Sequence, residues 1–145
     1  MTITKTESVK IRTEKELLGG GEISIIKLID NLIAEAYKAR ASDIHIDPEQ
    51  EKVRVRFRID GVLHDFFVFA KELQSEIITR LKVLSGLRTD EHQMAQDGRF
   101  KITVDHSYVD IRLSIAPTYY GENAVMRLLA QQAETEFTLM ALAFL

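Results

Sequence analysis

The chain has 145 residues, among them no cysteine, no tryptophan and only 2 prolines. Without cysteine it can form neither a disulfide bond nor a zinc site with cysteine ligands. A reducing, cytoplasmic setting is the simplest interpretation of that absence. No apolar run approaches the ~20 residues that a membrane-spanning helix requires, and residues 1–7 are mostly polar, unlike a secretory signal. We therefore expect a protein that stays in the cytoplasm and does not insert into a membrane.

An excess of positive charge is also lacking, because 19 Lys and Arg residues are set against 22 Asp and Glu residues, for a net charge of −3. Arg54, Arg56 and Arg58 do form a charged row along one strand face, which could grip phosphates or a partner's carboxylates. No aromatic side chain lies among them on that face, whereas proteins that bind single-stranded nucleic acids stack the bases on aromatic rings. We expect no nucleic-acid partner, and a solvated face paired with nearby acids is the simpler interpretation of this row.

Motifs for nucleotide binding and catalysis are missing as well. The sequence contains no GxxxxGK[ST] phosphate loop, no GxGxxG, no HExxH and no GxSxG, so it lacks the groups with which those motifs bind phosphate or catalyse hydrolysis. Asp43, His45 and Asp47 share one strand face, but side chains two residues apart on a strand are ~6.6 Å apart and cannot all reach one ion. We therefore expect no enzymatic activity, no cofactor and no metal site in this chain itself.

The spacing of apolar residues predicts an α+β fold. Helical spacing indicates two amphipathic helices, and strict alternation indicates six strands. In chain order these are a helix at 22–40, strands at 43–47, 52–59 and 62–69, a helix at 70–84, and strands at 99–104, 108–115 and 123–129. Because turns of hairpin length connect neighbouring strands, we expect an antiparallel sheet with the helices covering one face.

The turns also predict a register for two of the hairpins. If Asp47 faces Lys52 in the first hairpin, His45 lies opposite Arg54 and Asp43 lies opposite Arg56, so the polar face is largely charge-paired. If Val104 opposes Val109 in a later hairpin, the charged residues of both strands project away from the core. That face then carries Arg99, Lys101 and Arg112.

Composition divides the chain into three parts. Residues 1–21 are polar and end in Gly19-Gly20-Gly21, which predicts a flexible tail or linker. Residues 22–131 contain all the predicted helices and strands and form the domain. Residues 132–145 are expected to be a further linker, with an apolar end that suggests a missing neighbour.

Four groups of residues, taken in order, resemble one known family. They are Ala41-Ser42-Asp43-Ile44-His45-Ile46-Asp47-Pro48 with Arg56-Phe57-Arg58-Ile59-Asp60-Gly61-Val62-Leu63, then Gln96-Asp97-Gly98-Arg99-Phe100, then Val109-Asp110-Ile111-Arg112-Leu113-Ser114, and then Pro117-Thr118-Tyr119-Tyr120-Gly121-Glu122 with Met126-Arg127-Leu128-Leu129. Over residues 22–145 the chain thus resembles the secretion ATPases of type II secretion and type IV pilus assembly.

The resemblance implies a PAS-like domain that precedes a RecA-like motor domain, with the family's phosphate loop beyond the end of this sequence. It implies that the full-length protein is a hexameric ATPase that uses ATP and Mg²⁺ on the cytoplasmic side of the bacterial inner membrane. The expected partners are the motor domain of the same protein, neighbouring subunits and, indirectly, the inner-membrane secretion or pilus platform.

The resemblance also implies roles for individual residues. Arg99 and Arg112 match family arginines that reach toward the ATP γ-phosphate held by the motor domain, a role suited to a guanidinium because it is always charged and bonds phosphate bidentately. The residues expected to support them are Asp97, Gly98, Lys101 and Arg127. The chain departs from the family pattern at Asn123, where Lys or Arg is usual, and at Met94-Ala95, which replaces Leu-Pro.

A second hypothesis follows from the missing ATPase motifs. The chain could be a stand-alone PAS-like module for binding or dimerisation, with no motor domain attached.

Overall fold

One antiparallel sheet organises the part of the chain that the computed structural model describes, residues 12–19 and 24–129. The helices are α1 (Glu14–Leu18), α2 (Ile25–Lys38) and α3 (Gln74–Ser85), the last preceded by a 3₁₀ turn at Lys71–Leu73. The strands are β1 (Asp43–Pro48), β2 (Lys52–Ile59), β3 (Val62–Ala70), β4 (Gln96–Val104), β5 (Ser107–Thr118) and β6 (Gly121–Leu128). Their order in the sheet is β3-β2-β1-β6-β5-β4. The predicted α+β fold with a six-stranded antiparallel sheet is confirmed.

Helices α2 and α3 supply the apolar side chains that cover one face of the sheet. The predicted stripe of α2 is buried at Leu28, Ile29, Leu32, Ile33 and Ala36. The α3 side chains Ile77, Ile78 and Leu81 join the same core, together with strand residues that include Ile44, Val55, Phe57, Ile111 and Met126. Because side chains alternate between the faces of a strand, the charged residues between these apolar ones lie on the opposite face.

Local sequence signals fix the ends of several elements. The Ser24 side chain accepts a hydrogen bond from the Lys27 backbone N–H and caps the start of α2. Gly86 ends α3 in the left-handed conformation with a φ of 70°, which glycine adopts without strain. Asp60 and Gly61 both have positive φ, 52° and 82°, as a two-residue hairpin turn of the primed type requires.

Part of the segment that the sequence analysis treats as a flexible tail is folded. Residues 12–19 contain α1, and Arg12 pairs with β3 through hydrogen bonds from its N–H to the Phe66 carbonyl and from the Val68 N–H to its own carbonyl. The Arg12 guanidinium lies 4.6 Å from the centre of the Phe67 ring and 3.2 Å from Glu35 Oε1. Within residues 12–19 the backbone and side-chain contacts outweigh the polar composition. The whole of the predicted linker at 132–145 lies outside the described residues, as do residues 1–11, 20 and 21 of the predicted tail.

Both predicted registers are wrong by two residues. Asp47 pairs with Arg54 rather than Lys52, because the Glu49 N–H donates to the Lys52 carbonyl and closes the turn one step later. Val104 pairs with Ser107 rather than Val109. A shift of two residues keeps every side chain on its predicted face, since the strand repeat is two, but it changes which charges are neighbours.

Candidate functional site

A row of charged side chains crosses the sheet on the face away from the helices. The pairing of the strands places Arg58 of β2 opposite Asp43 of β1, Asp43 opposite Arg127 of β6, Arg127 opposite Arg112 of β5, and Arg112 opposite Arg99 of β4. Five adjacent strands thus contribute four arginines and one aspartate. This row brings together Arg99, Arg112 and Arg127, which the resemblance singles out.

The β1–β2 half of this face is charge-paired. Arg54 Nε lies 2.7 Å from Glu49 Oε2 and its Nη1 lies 2.9 Å from Asp65 Oδ2, while Arg56 Nη2 lies 3.0 Å from Asp47 Oδ2. The hydrogen bond from Arg54 lowers the pKa of Glu49, which favours the charged carboxylate. The arginine row of β2 is therefore paired with nearby acids, as its simpler interpretation predicts, although the partners are not those of the predicted register.

Asp43 stands between the two halves and is shared by two arginines. Its side chain is only 6% exposed, with Oδ1 3.1 Å from Arg127 Nε and Oδ2 3.7 Å from Arg58 Nε. The Ser42 hydroxyl donates a further hydrogen bond to Oδ2 at 2.7 Å. Burial raises the pKa of Asp43, but the hydrogen bonds from Ser42 and Arg127 outweigh it, so the pKa is lowered. Asp43 is a charged anchor inside the polar face.

The β4–β5 half of the face, in contrast, gathers cations. Arg99 lies directly opposite Arg112, and both side chains are exposed, as is Lys101. None of these three cations forms an ion pair with any residue of segments 12–19 and 24–129. Like charges directly opposite one another destabilise a sheet. We call Arg99, Lys101 and Arg112 the cation cluster.

A pocket of about 430 Å³ opens at the cation cluster. It is lined by Arg99, Phe100, Lys101, Asp110, Ile111, Arg112 and Leu129. The lining therefore combines three cationic side chains and one carboxylate with the apolar residues Phe100, Ile111 and Leu129. Planar guanidinium groups on such a wall can hold an anion such as phosphate through paired N–H donors.

Gly98 supports this half of the sheet from the core side. A Cβ at this position would lie 2.9 Å from Ser85 Cβ and 3.0 Å from Leu87 Cδ2. Glycine therefore lets the end of α3 pack closely on β4, beneath the strand that carries Arg99. Asp97 lies opposite Ser114 on the polar face, two residues from Arg99 on the same strand.

The side chain of Gln96 has a role that the sequence analysis did not assign. Its Oε1 accepts a hydrogen bond from the Arg88 N–H, and its Nε2 donates to the Arg88 carbonyl, both at 3.0 Å. These two bonds hold the loop between α3 and β4 against the start of β4. A glutamine that precedes Asp-Gly-Arg was visible in the sequence, but its partner is a backbone group that no motif marks.

A second polar group is buried at the β5–β6 turn. Lys82 is 1% exposed and its Nζ lies 2.9 Å from Glu122 Oε2, while His92 Nδ1 lies 3.0 Å from Glu122 Oε1. The Gln74 side chain donates to the Glu122 carbonyl. These bonds tie the turn to α3 and to the loop that follows it, and the helical pattern gave no signal for them because it marks only the apolar positions of α3. Lys82 and Glu122 are 40 residues apart in sequence.

The departure at Asn123 has a local partner. Its Nδ2 donates to Asp47 Oδ1 at 3.4 Å, so the side chain joins the charge-paired half of the face.

Among the described residues, no three His, Asp or Glu side chains converge where a metal ion could be held. No helix within the described segments is both long and apolar enough to cross a membrane.

Comparison with known proteins gives matches along most of the chain. The family model described as "Type II/IV secretion system protein" matches residues 20–144. The type IV pilus assembly ATPase PilB of Myxococcus xanthus is 38% identical over 128 residues, which are 88% of this chain and 22% of that protein. The type II secretion system ATPase E of Vibrio cholerae is 41% identical over 109 residues, which are 75% of this chain and 22% of that protein. The chain thus spans about a fifth of the length of these relatives.

A solved structure shares the fold. The X-ray structure of the Legionella pneumophila ATPase DotB matches with a TM-score of 0.51 and 12% sequence identity. The match covers 83% of this chain and 32% of the DotB chain. At this level of identity the likeness concerns the arrangement of helices and strands alone.

Proposed function

The chain belongs to the family of type II/IV secretion system proteins, and on that premise we propose that it is the non-catalytic N-terminal domain of a hexameric motor ATPase. The ATPase serves type II secretion or type IV pilus assembly, as the names of the relatives suggest. The domain clamps onto a RecA-like motor domain and presents Arg99 and Arg112 to the γ-phosphate of the bound ATP. Its family membership agrees with the resemblance carried by the sequence motifs.

The observation that supports this role is the placement of Arg99 opposite Arg112 across two strands, where Asp110 faces Lys101 beside them but neither arginine forms an ion pair with a described residue. Such an arrangement costs stability in the isolated domain. An anion delivered from outside relieves the repulsion and gains charge-assisted hydrogen bonds. A nucleotide phosphate held by another domain is an anion of this kind, and it couples closure of the two domains to the presence of the γ-phosphate.

The given sequence contains no GxxxxGK[ST] phosphate loop. In the proposed machine the motor domain therefore binds ATP and Mg²⁺, and this domain supplies positive charge to the transferring phosphoryl group. Arginines that enter a phosphate site from another domain act in this way in several ATPases and GTPases. The assembled protein works on the cytoplasmic side of the inner membrane, and it reaches the secretion or pilus platform only indirectly.

The test is ATP hydrolysis by the full-length ATPase that carries this domain. Arg99→Ala and Arg112→Ala should each lower the turnover rate, by about 10³-fold if the arginine touches the transferring phosphoryl group. The matched control is Arg88→Ala, because Arg88 is an exposed arginine outside the sheet whose ion partner is Asp90. Turnover at the wild-type rate in an Arg99→Ala/Arg112→Ala double variant with intact folding would contradict the proposal.

A further inference from the structure

We propose that Asp43 is a positioning residue that aims Arg127 as a third phosphate donor beside Arg112. This inference rests on the proposed function of the cation cluster and adds to it the residue that organises its inner end. Arg127 lies directly opposite Arg112, so its guanidinium is next in the row after Arg99 and Arg112. The carboxylate that holds it comes from β1, 84 residues away in sequence.

The hydrogen bond between Asp43 and Arg127 uses only one edge of the guanidinium. Asp43 Oδ1 accepts from Arg127 Nε at 3.1 Å, and no described residue accepts from the two terminal nitrogens of Arg127. A guanidinium bonded through Nε cannot turn freely, which leaves its Nη groups as preorganised donors. With 66% of its side chain exposed, Arg127 can offer these donors to an anion from outside.

The surroundings of Asp43 make it suited to this task. Its carboxylate is 6% exposed and is fixed from two further directions, by the Ser42 hydroxyl at 2.7 Å and by Arg58 Nε at 3.7 Å. An acceptor held this firmly transmits its position to the arginine that it binds. Arg54 of the β2 row is different, because its Nε and Nη1 both bond acids, Glu49 and Asp65, so fewer of its donors remain for an outside anion.

A purely electrostatic role and a positioning role of Asp43 predict opposite changes in anion affinity when Asp43 is removed, and this makes the inference testable. Loss of a negative charge beside a cationic surface strengthens anion binding if only the overall field matters. Loss of the acceptor that orients Arg127 weakens anion binding if orientation matters more. The sign of the change in affinity therefore separates a positioning residue from a simple neutralising charge.

The experiment is a titration of the 145-residue chain with tripolyphosphate in the absence of Mg²⁺, followed by NMR of the arginine side chains. The wild type should show shifts of the Arg99, Arg112 and Arg127 signals. Asp43→Ala should weaken binding by about fivefold, the scale of one impaired charge-assisted hydrogen bond. The matched control is Asp47→Ala, because Asp47 is a carboxylate on the same strand face but accepts hydrogen bonds from Arg56 and Asn123 instead of Arg127. This variant should bind tripolyphosphate as tightly as the wild type or tighter.

A double-mutant cycle shows whether Asp43 acts through Arg127. In an Arg127→Ala background, Asp43→Ala should no longer weaken binding. Arg127→Lys gives a second route that spares the buried carboxylate, because it keeps the charge and loses the guanidinium fork, and it should also weaken binding. Independently of any ligand, the Arg127 Nε–H signal should exchange slowly with solvent in the wild type and rapidly in Asp43→Ala.

The outcomes separate this inference from the proposed function. Arg112→Ala measures the cation cluster itself, and if tripolyphosphate binds equally well without Arg112, or perturbs none of the arginines of the row, both ideas fail. If Arg112→Ala weakens binding while folded Asp43→Ala binds as tightly as wild type, the cluster stands and the positioning role of Asp43 is overturned. Unchanged binding in Arg127→Lys overturns it as well.

Discussion

The two halves of the polar face are built from the same residue types and differ in how their charges are balanced. On β1 and β2, arginines and acids alternate across the strands, and Arg54, Arg56 and Arg58 each lie within 4 Å of a carboxylate. On β4 and β5, Arg99 faces Arg112 with no acid between them. The arginines of the paired half have acidic partners within the domain, whereas Arg99 and Arg112 form no ion pair with any described residue.

The distribution of charge over the polar face is more informative about function than the number of arginines. Net charge is −3 for the whole chain, so the composition does not reveal a positive surface. Positive charge becomes concentrated only because the sheet order brings β6 against β5 and sets β4 at an edge, away from the acids of β1. Function is therefore expected where charges are left unbalanced rather than where arginines are most frequent.

The largest effect on stability is expected at Asp43, where the two halves meet. Asp43→Ala leaves Arg58 and Arg127 without the carboxylate with which both form ion pairs. It should lower the free energy of unfolding by about 2 kcal/mol, less than for a fully buried pair because both arginines are partly exposed. Urea unfolding at pH 7 measures this change. An unfolding free energy equal to that of the wild type would contradict the anchoring role of Asp43.

The same variant should also change the response to acid. The pKa of folded Asp43 is lowered below its ordinary value of 3.8, so its contribution to stability is present above about pH 4 and is lost as the pH falls through the folded pKa. Asp43→Ala should therefore lose less stability than the wild type between neutral pH and strongly acidic pH. Parallel curves for the two proteins would show that Asp43 contributes nothing in this range.

A smaller effect is expected within the paired half. Arg54→Gln removes a guanidinium that bonds both Glu49 and Asp65 and should cost about 1 kcal/mol of unfolding free energy, since the pairs are near the surface. Thermal unfolding at low and high ionic strength gives the measurement. Salt should narrow the difference between wild type and variant, because it screens the ion pairs that the wild type keeps.

The division into faces could be predicted from the sequence, whereas the neighbours across the sheet could not. Alternation along each strand correctly placed Arg99, Lys101 and Arg112 on one side and the apolar residues on the other, because side-chain direction is a local property. The registers were wrong by two residues, because they depend on hydrogen bonds in the turn, such as that from Glu49 to Lys52, that no side-chain pattern displays.

Contacts between distant strands were still harder to predict. Asp43 and Arg127 lie 84 residues apart, and antiparallel pairing of β1 with β6 is one of several ways to join two three-stranded units. The folded state of residues 12–19 was missed for a similar reason, because the backbone pairing of Arg12 with β3 is not visible in a polar composition. Candidate arginines were thus identified from motifs, but the contact between Asp43 and Arg127 was identified only from the structure.

The smallest expected change in the free energy of unfolding has the opposite sign from that of Arg54→Gln. Arg112→Gln removes a charge that lies between Arg99 and Arg127, and it should raise the free energy of unfolding by about 0.5 kcal/mol because like charges no longer face each other. Thermal unfolding in low salt measures the gain, which should shrink as salt screens the repulsion in the wild type. Arg54→Gln is the matched control, since the same substitution on the same face should destabilise. If Arg112→Gln also destabilises, its charge is balanced within the chain, and the contrast between the two halves does not hold.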